Sequence, residues 1–243
     1  MRMEDAVAFS DAHCHLDLFD DAEKVIYDSR MRGVGIIITA GSNASSNVRM
    51  LELAKEGVYG VVGISPDFSG SNYEQIAELM DLVKMNKNII GIGEIGLDET
   101  ILEAVGMERQ VDAFTKQIAV AKELGFPVVV HARKAIGKVM EILEKEEVER
   151  AVFHFFEGDE EMAKRAERRG YIISMPPGES GRRKRVIKSI ELSSIVAETD
   201  SPAVGKTPAD VVDVVNYIAT IKGLSLDETA ERITKTIKEY FYI

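Results

Sequence analysis

Only four histidines occur in this chain of 243 residues, and every one stands in an apolar run. His13 and His15 fall within 8–16, His131 within 126–133 and His154 within 151–156. Two carboxylates sit in comparable settings: Glu94 in the middle of 89–98, with Gly93 before it and Gly96 just beyond, and Asp200 near the end of 194–202. A buried carboxylate without a partner costs several kcal/mol, so Glu94 must be paired, hydrogen-bonded or placed on a metal ion. Imidazole with carboxylate is a donor set for zinc, manganese or iron(II), and the absence of a thiolate cluster argues against a purely structural zinc site. Glu94 therefore reads as the hub of a metal site that the histidines surround.

Two other readings of these stretches have to be weighed. Gly91, Gly93 and Gly96 satisfy the G-x-G-x-x-G pattern of a dinucleotide-binding turn. That turn needs a helix opening at its third glycine, whereas Leu97, Asp98 and Glu99 follow here, and Glu94 would face the phosphates with the wrong charge. Cys14 lies between two histidines, but strand alternation sends it to the opposite face from His13 and His15, so it reads as packing. The same alternation puts Asp11, His13 and His15 on one face.

The elements that must position these residues follow from periodicity. Apolar runs at 8–16, 34–40, 58–64, 89–98, 126–133, 151–156, 171–175 and 194–202 read as strands. Helical patterns at 20–32, 45–56, 73–85, 103–124, 136–146, 160–169 and 209–222 alternate with them, and 181–190 is a basic helix or loop. A last helix, 226–240, closes the chain. This α/β alternation predicts a single (β/α)8 TIM barrel with an extra C-terminal helix, an open doubly wound sheet being the alternative. No linker or composition break divides residues 1–243, which read as one domain. Every candidate ligand lies toward the C-terminal end of its strand, the end that opens onto the active-site face of a barrel.

Composition narrows the class. An apolar fraction of 45% and a charged fraction of 29% are those of a globular protein. No apolar stretch reaches the ~20 residues that span a bilayer, and the polar opening at 1–5 is not that of a signal peptide, so no membrane is expected. A single cysteine excludes an internal disulfide and suits a cytoplasmic location. A net charge of −11 argues against broad coating of nucleic acid but leaves room for a nuclease with a local basic patch.

Taken together, the segments 11–17, 93–98, 127–133, 153–155 and 198–202 make the chain resemble the TatD family of metal-dependent nucleases, within the wider amidohydrolase-like group of barrels. Gln110, Phe114 and Gln117 fit the helix between the second and third of these segments, and the likeness spans essentially the whole chain. The resemblance implies a hydrolase of ester bonds, a deoxyribonuclease that cleaves phosphodiesters with a hydroxide bridging two divalent ions (zinc, manganese or magnesium). It implies that His13, His15 and Asp200 hold one ion, His131 and His154 the other, and that Glu94 bridges. Asp200 would also orient the water. Glu198, of the same parity as Asp200, reads either as a partner for a ligand histidine or as half of a buried ion pair. The residues after Asp98, after His154 and after Asp200 depart from the family pattern, which touches the substrate more than the metal chemistry.

Arg133 lies two residues past His131, with the same parity, and is placed to reach a phosphate oxygen as a catalytic or substrate-binding group. Arg182, Arg183 and Arg185 belong to a basic run that follows the seventh strand, where barrels often hold a phosphate; the plainer alternative is a solvated helix face. Nucleic acid, DNA first, is thus the expected substrate. A small-molecule amide, lactone or phosphotriester hydrolysed at the same site is the alternative, and a binding protein that has lost its chemistry is the third reading.

Overall fold

The computed structural model describes residues 9–243, so Ala8 of the first expected strand and the polar opening at 1–5 lie outside the described residues. The elements run β1 (Phe9–Cys14), α1 (Ala22–Met31), β2 (Val34–Ala40), α2 (Ala44–Leu53), β3 (Val58–Val62), α3 (Leu79–Met85), β4 (Ile89–Asp98), α4 (Met107–Leu124) and β5 (Val128–Arg133). They continue as α5 (Ile136–Lys145), β6 (Ala151–Phe153), α6 (Glu160–Arg168), β7 (Ile172–Met175), α7 (Gly181–Ser189), β8 (Ile195–Ala197), α8 (Val211–Lys222) and α9 (Leu226–Phe241). The eight strands pair in chain order, each parallel to the next. This is the (β/α)8 barrel with a C-terminal helix that the alternation predicts.

The seam between the last strand and the first is joined just beyond β8. Asp200 N–H donates to the His13 carbonyl at 2.9 Å, and His15 N–H donates to the Ser201 carbonyl at 2.8 Å. The buried carboxylate of Asp11 accepts from Thr199 N–H at 2.8 Å and from its hydroxyl at 2.5 Å. Asp11 therefore serves the seam although the alternation put it on the face of His13 and His15. The β1–β2 register shifts between Asp11 and Cys14, which interrupts that alternation. Cys14 is fully buried in the apolar core, with its thiol toward the Ile38 carbonyl, as packing predicts.

Several expected boundaries move. The helix expected at 73–85 is a 3-10 segment, Tyr73–Glu78, followed by α3. The sixth and eighth strands stop at Phe153 and Ala197, because the chain turns there: Phe155 and Asp200 take left-handed φ values of 46° and 48°. Polar side chains start the helices where the sequence supplies them. Asp21, Asn43, Asp159, Ser180 and Ser225 each accept a backbone N–H in the first turn of the helix that follows, worth about 1 kcal/mol apiece.

Buried amides brace the strand ends from outside the barrel. On α4, Gln117 accepts from Ile64 N–H at 2.7 Å and donates to its carbonyl at 3.0 Å. Two turns earlier, Gln110 accepts from Asp98 N–H at 2.8 Å and donates to the Asp98 carbonyl at 3.0 Å. On α2, Asn47 does the same for Gly63, at 2.9 and 3.0 Å. Each pair satisfies backbone groups that the strand ladder leaves open at the site end of β3 and β4.

The glycines around Glu94 are needed for close approach to a neighbouring strand, not to a phosphate. β4 continues through Gly96 to Asp98 with no helix opening there, so the nucleotide-turn reading fails. Gly96 has φ +141°, and a Cβ on it would lie 2.0 Å from the His131 carbonyl oxygen. Gly96→Ala should destabilise the barrel by roughly 2 kcal/mol or more, whereas Gly137→Ala, where a Cβ meets nothing within 4 Å, should be neutral or stabilising. Denaturant unfolding of both variants checks this; equal stabilities would contradict the close approach.

Candidate metal centre

Glu94 is 6% exposed, and its two carboxylate oxygens face different histidines. Oε1 lies 2.6 Å from His131 Nδ1 and 3.2 Å from His154 Nε2. Oε2 lies 3.6 Å from both His13 Nε2 and His15 Nε2. Asp200 Oδ1 is 3.5 Å from His15 Nε2, and the His131 and His154 nitrogens stand 3.3 Å apart. The His13 and His154 rings stack at 4.0 Å. Six residues from β1, β4, β5, β6 and β8, or just past their ends, thus converge. Two overlapping groups among them, His13 with His15 and Asp200, and His13 with Glu94 and His154, are close enough to hold a metal ion.

The site opens into a cavity of about 380 Å³ lined by His131, Arg133, His154, Phe155 and Asp200, among others. Arg133 is exposed there and has no ion-pair partner among the described residues. The basic run is placed differently. Arg182 and Arg183 line an adjoining cavity of about 370 Å³, which shares Glu157 with the first. Arg182 donates to the Glu157 carbonyl, Arg183 to the carbonyls of Pro177 and Gly178, and Arg185 pairs with Glu160 at 2.5 Å.

A profile of the family described as TatD related DNase matches residues 10–242. The chain belongs to this family. An uncharacterized metal-dependent hydrolase of Methanocaldococcus jannaschii is 32% identical, over 97% of each chain. The deoxyribonuclease TATDN3 of Homo sapiens is 28% identical over 97% of this chain and 95% of its own length. Among solved structures, the TatD homolog YJJV of Escherichia coli superposes with a TM-score of 0.87 at 25% identity, over 97% of this chain and 98% of that one.

Within this TatD-family barrel the donor set fits a divalent ion. Both ring nitrogens of the buried His13 lack a hydrogen-bond partner among the described residues, and an ion on its lone pair would satisfy one of them. Burial, together with the charge of the stacked His154, pushes His13 below its ordinary value and keeps it neutral, as a ligand must be. Burial would raise Glu94, but the charge of His154 and the hydrogen bonds from the histidines outweigh it, and the carboxylate stays well below its usual range. For His131, burial disfavours the charged ring, yet hydrogen bonds to Asp98 and Glu94 prevail and hold it at about 9. Glu198, buried and 3.5 Å from His154 Nδ1, also accepts Phe155 N–H at 2.7 Å.

Asp98 is the residue that the sequence reading left out of the site. Its Oδ2 lies 3.0 Å from His131 Nε2, so His131 stands between two carboxylates. Thr100 N–H and hydroxyl fix the other oxygen at 2.7 and 2.5 Å, and Gln110 fixes its backbone. Burial opposes ionisation of Asp98, but the bonds from His131 and Thr100 prevail and hold it at about 2. The available signal was its parity with Glu94 within one strand.

Two outcomes follow for calorimetry with zinc or manganese. An ion held by His131 would have to displace a proton from a ring held at about 9, so binding should release protons and tighten as pH rises toward that value. Asp98→Asn should weaken metal binding roughly ten- to a hundredfold with the fold retained. PH-independent affinity, or wild-type affinity in Asp98→Asn, would contradict this placement.

Proposed function

We propose that the chain is a metal-dependent phosphodiesterase that cuts DNA, using two divalent ions drawn from zinc, manganese or magnesium. The observation that carries this reading is the division of Glu94, one oxygen toward His13 and His15, the other toward His131 and His154. On this reading His13, His15 and Asp200 would hold one ion and His131 and His154 the other, with Glu94 serving both. When bound, such ions polarise a phosphoryl oxygen and acidify water to near neutrality.

The chain's own residues supply the rest. Asp200 is buried, but the hydrogen bond and charge of the surrounding histidines hold its carboxyl below the usual range, so it is ionised. Its carboxylate orients the attacking water and takes up its proton. Arg133, unpaired in the cavity, faces the non-bridging oxygens of the reacting phosphate and offsets the charge that grows there. An anionic substrate explains an uncommitted arginine at this spot better than a neutral amide or lactone does. DNA is the class that the family description and the name of the human relative carry. On this reading Arg182, which donates to the Glu157 carbonyl at the edge of the next cavity, would meet a second phosphate, whereas Arg183 is held by two carbonyls and Arg185 by Glu160. Among the described residues no helix is long and apolar enough to cross a membrane. The single buried Cys14 suits a reducing compartment, and the cytoplasm is the proposed place of action.

Steady-state cleavage of a single-stranded oligonucleotide, with metal content measured in parallel, tests the reading. Glu94→Gln keeps the shape and removes the charge, and should lower kcat/KM roughly a thousandfold or more while metal occupancy falls. Full activity after dialysis against chelator would sink the proposal. Arg133→Met should lower kcat roughly a hundredfold, whereas Arg185→Ala should leave it near wild type. Equal effects of the two substitutions would remove Arg133 from the reaction.

A further inference from the structure

Two adjacent phenylalanines follow His154, and the structure uses them differently. Phe156 is buried, packs edge-on against Phe153 at 6.3 Å and belongs to the core. Phe155 is only partly buried and does not pack on the apolar core of the described residues. Its ring borders the site cavity, 6.1 Å from the His154 ring and inclined at 63° to it.

The backbone holds Phe155 in a conformation that bulky residues seldom adopt, with φ +46°. Its N–H donates to the fully buried Glu198 at 2.7 Å, and the next residue is tied to the Ser174 carbonyl at 3.1 Å. Such a conformation persists only where the surroundings impose it. Here Glu198 imposes it, and the consequence is an aromatic ring at the edge of the metal centre instead of in the core. The Arg183 guanidinium lies 5.7 Å from the ring centroid, held by the carbonyls of Pro177 and Gly178. Arg183 borders the neighbouring cavity and Phe155 borders the site cavity, so the ring forms part of the partition between them.

We infer that Phe155 is a specificity-determining residue: it is the platform on which the nucleobase next to the scissile phosphate stacks. The inference rests on the DNA-cleaving reading and deepens it. With the phosphate between the ligand cluster and Arg133, a base attached to it meets Phe155, the one phenyl ring among the described residues that line this cavity. Ala203 and the exposed Val204 add apolar surface to the same wall. A cavity of about 380 Å³ holds a unit the size of one nucleotide. A base paired and stacked within a duplex has its faces covered, so the platform takes an unstacked nucleotide, in a single strand or at a frayed end. Stacking on an aromatic ring tolerates any base, so the platform selects for the presence of a base and not for its identity.

The experiment compares short single-stranded oligonucleotides that are intact or carry an abasic residue on one or the other side of the scissile phosphate. For the wild-type protein loaded with manganese, loss of the base on one of the two sides should raise KM about tenfold. In Phe155→Leu that discrimination should collapse to about one, through a higher KM on the intact strand, while Phe155→Trp should restore it. Metal content and thermal unfolding are measured on each variant, so that a collapsed site is not taken for a lost platform. Equal losses on intact and abasic strands, or a fall in kcat with KM unchanged, would assign Phe155 to support of His154 and overturn the inference. A wild type that hydrolyses small esters but cuts no oligonucleotide overturns the nuclease reading itself, and this inference with it.

Discussion

A carboxylate on a strand buried along its whole length is the constraint around which this molecule is built. Glu94 cannot stay ionised there without positive or polarisable neighbours, and four imidazoles supply them from β1, β5 and β6 and the turns that follow. The arrangement alternates in sign. Asp98 and Glu94 flank His131, Glu94 and Glu198 flank His154, and Glu94 and Asp200 flank His15. His13 is left as the one histidine held neutral by burial and by its stacked neighbour. Carboxylate and imidazole thus already face one another before any ion enters, and on the proposed reading an ion would take the place of protons on these rings.

Fold and site share the same bonds. The seam of the barrel is joined by the backbone of Asp200 and His13, and by that of His15 and Ser201; the side chains of His13 and His15 face Glu94, and that of Asp200 faces His15. Replacing the Asp200 side chain leaves that closure intact, because the closing bond comes from its amide. The buried amides of Asn47, Gln110 and Gln117 extend this logic to β3 and β4, gripping backbone from the surrounding helices. Groups held this way keep their positions to within fractions of an ångström, which a centre shared between two sets of histidines requires.

What the sequence disclosed and what it hid divide along a physical line. Glu94, the histidines and Asp200 stood out because a polar group in an apolar strand needs a reason that can be read locally. The barrel was legible because alternating periods of two and 3.6 leave few architectures for eight strands. The part played by Asp98 was hidden: it depends on the register of β4 against β5, where Gly96 faces His131 and Asp98 faces Arg133. The seam bonds of Asp11 to Thr199 span 188 positions, and no local pattern reports them. The basic run illustrates the converse. Four cations in a row are conspicuous in sequence, but the partners of the three arginines, Glu157, Glu160 and the carbonyls of the preceding loop, are visible only in the fold.

Those engagements bear on how an acidic protein meets a polyanion. With a net charge of −11 and most of its conspicuous arginines engaged, the chain offers little long-range attraction to a phosphate backbone. Counterion release scales with the number of phosphates neutralised, so binding along a strand would be weak and sensitive to salt. What is concentrated at the cavity is local: the proposed ions, one uncommitted arginine and one partly buried phenyl ring. On the proposed reading, recognition is concentrated on the nucleotides around the reacting phosphate, where interactions act on the transition state instead of on the length of the strand. A surface that repels the rest of the polymer then favours release once that phosphate has reacted.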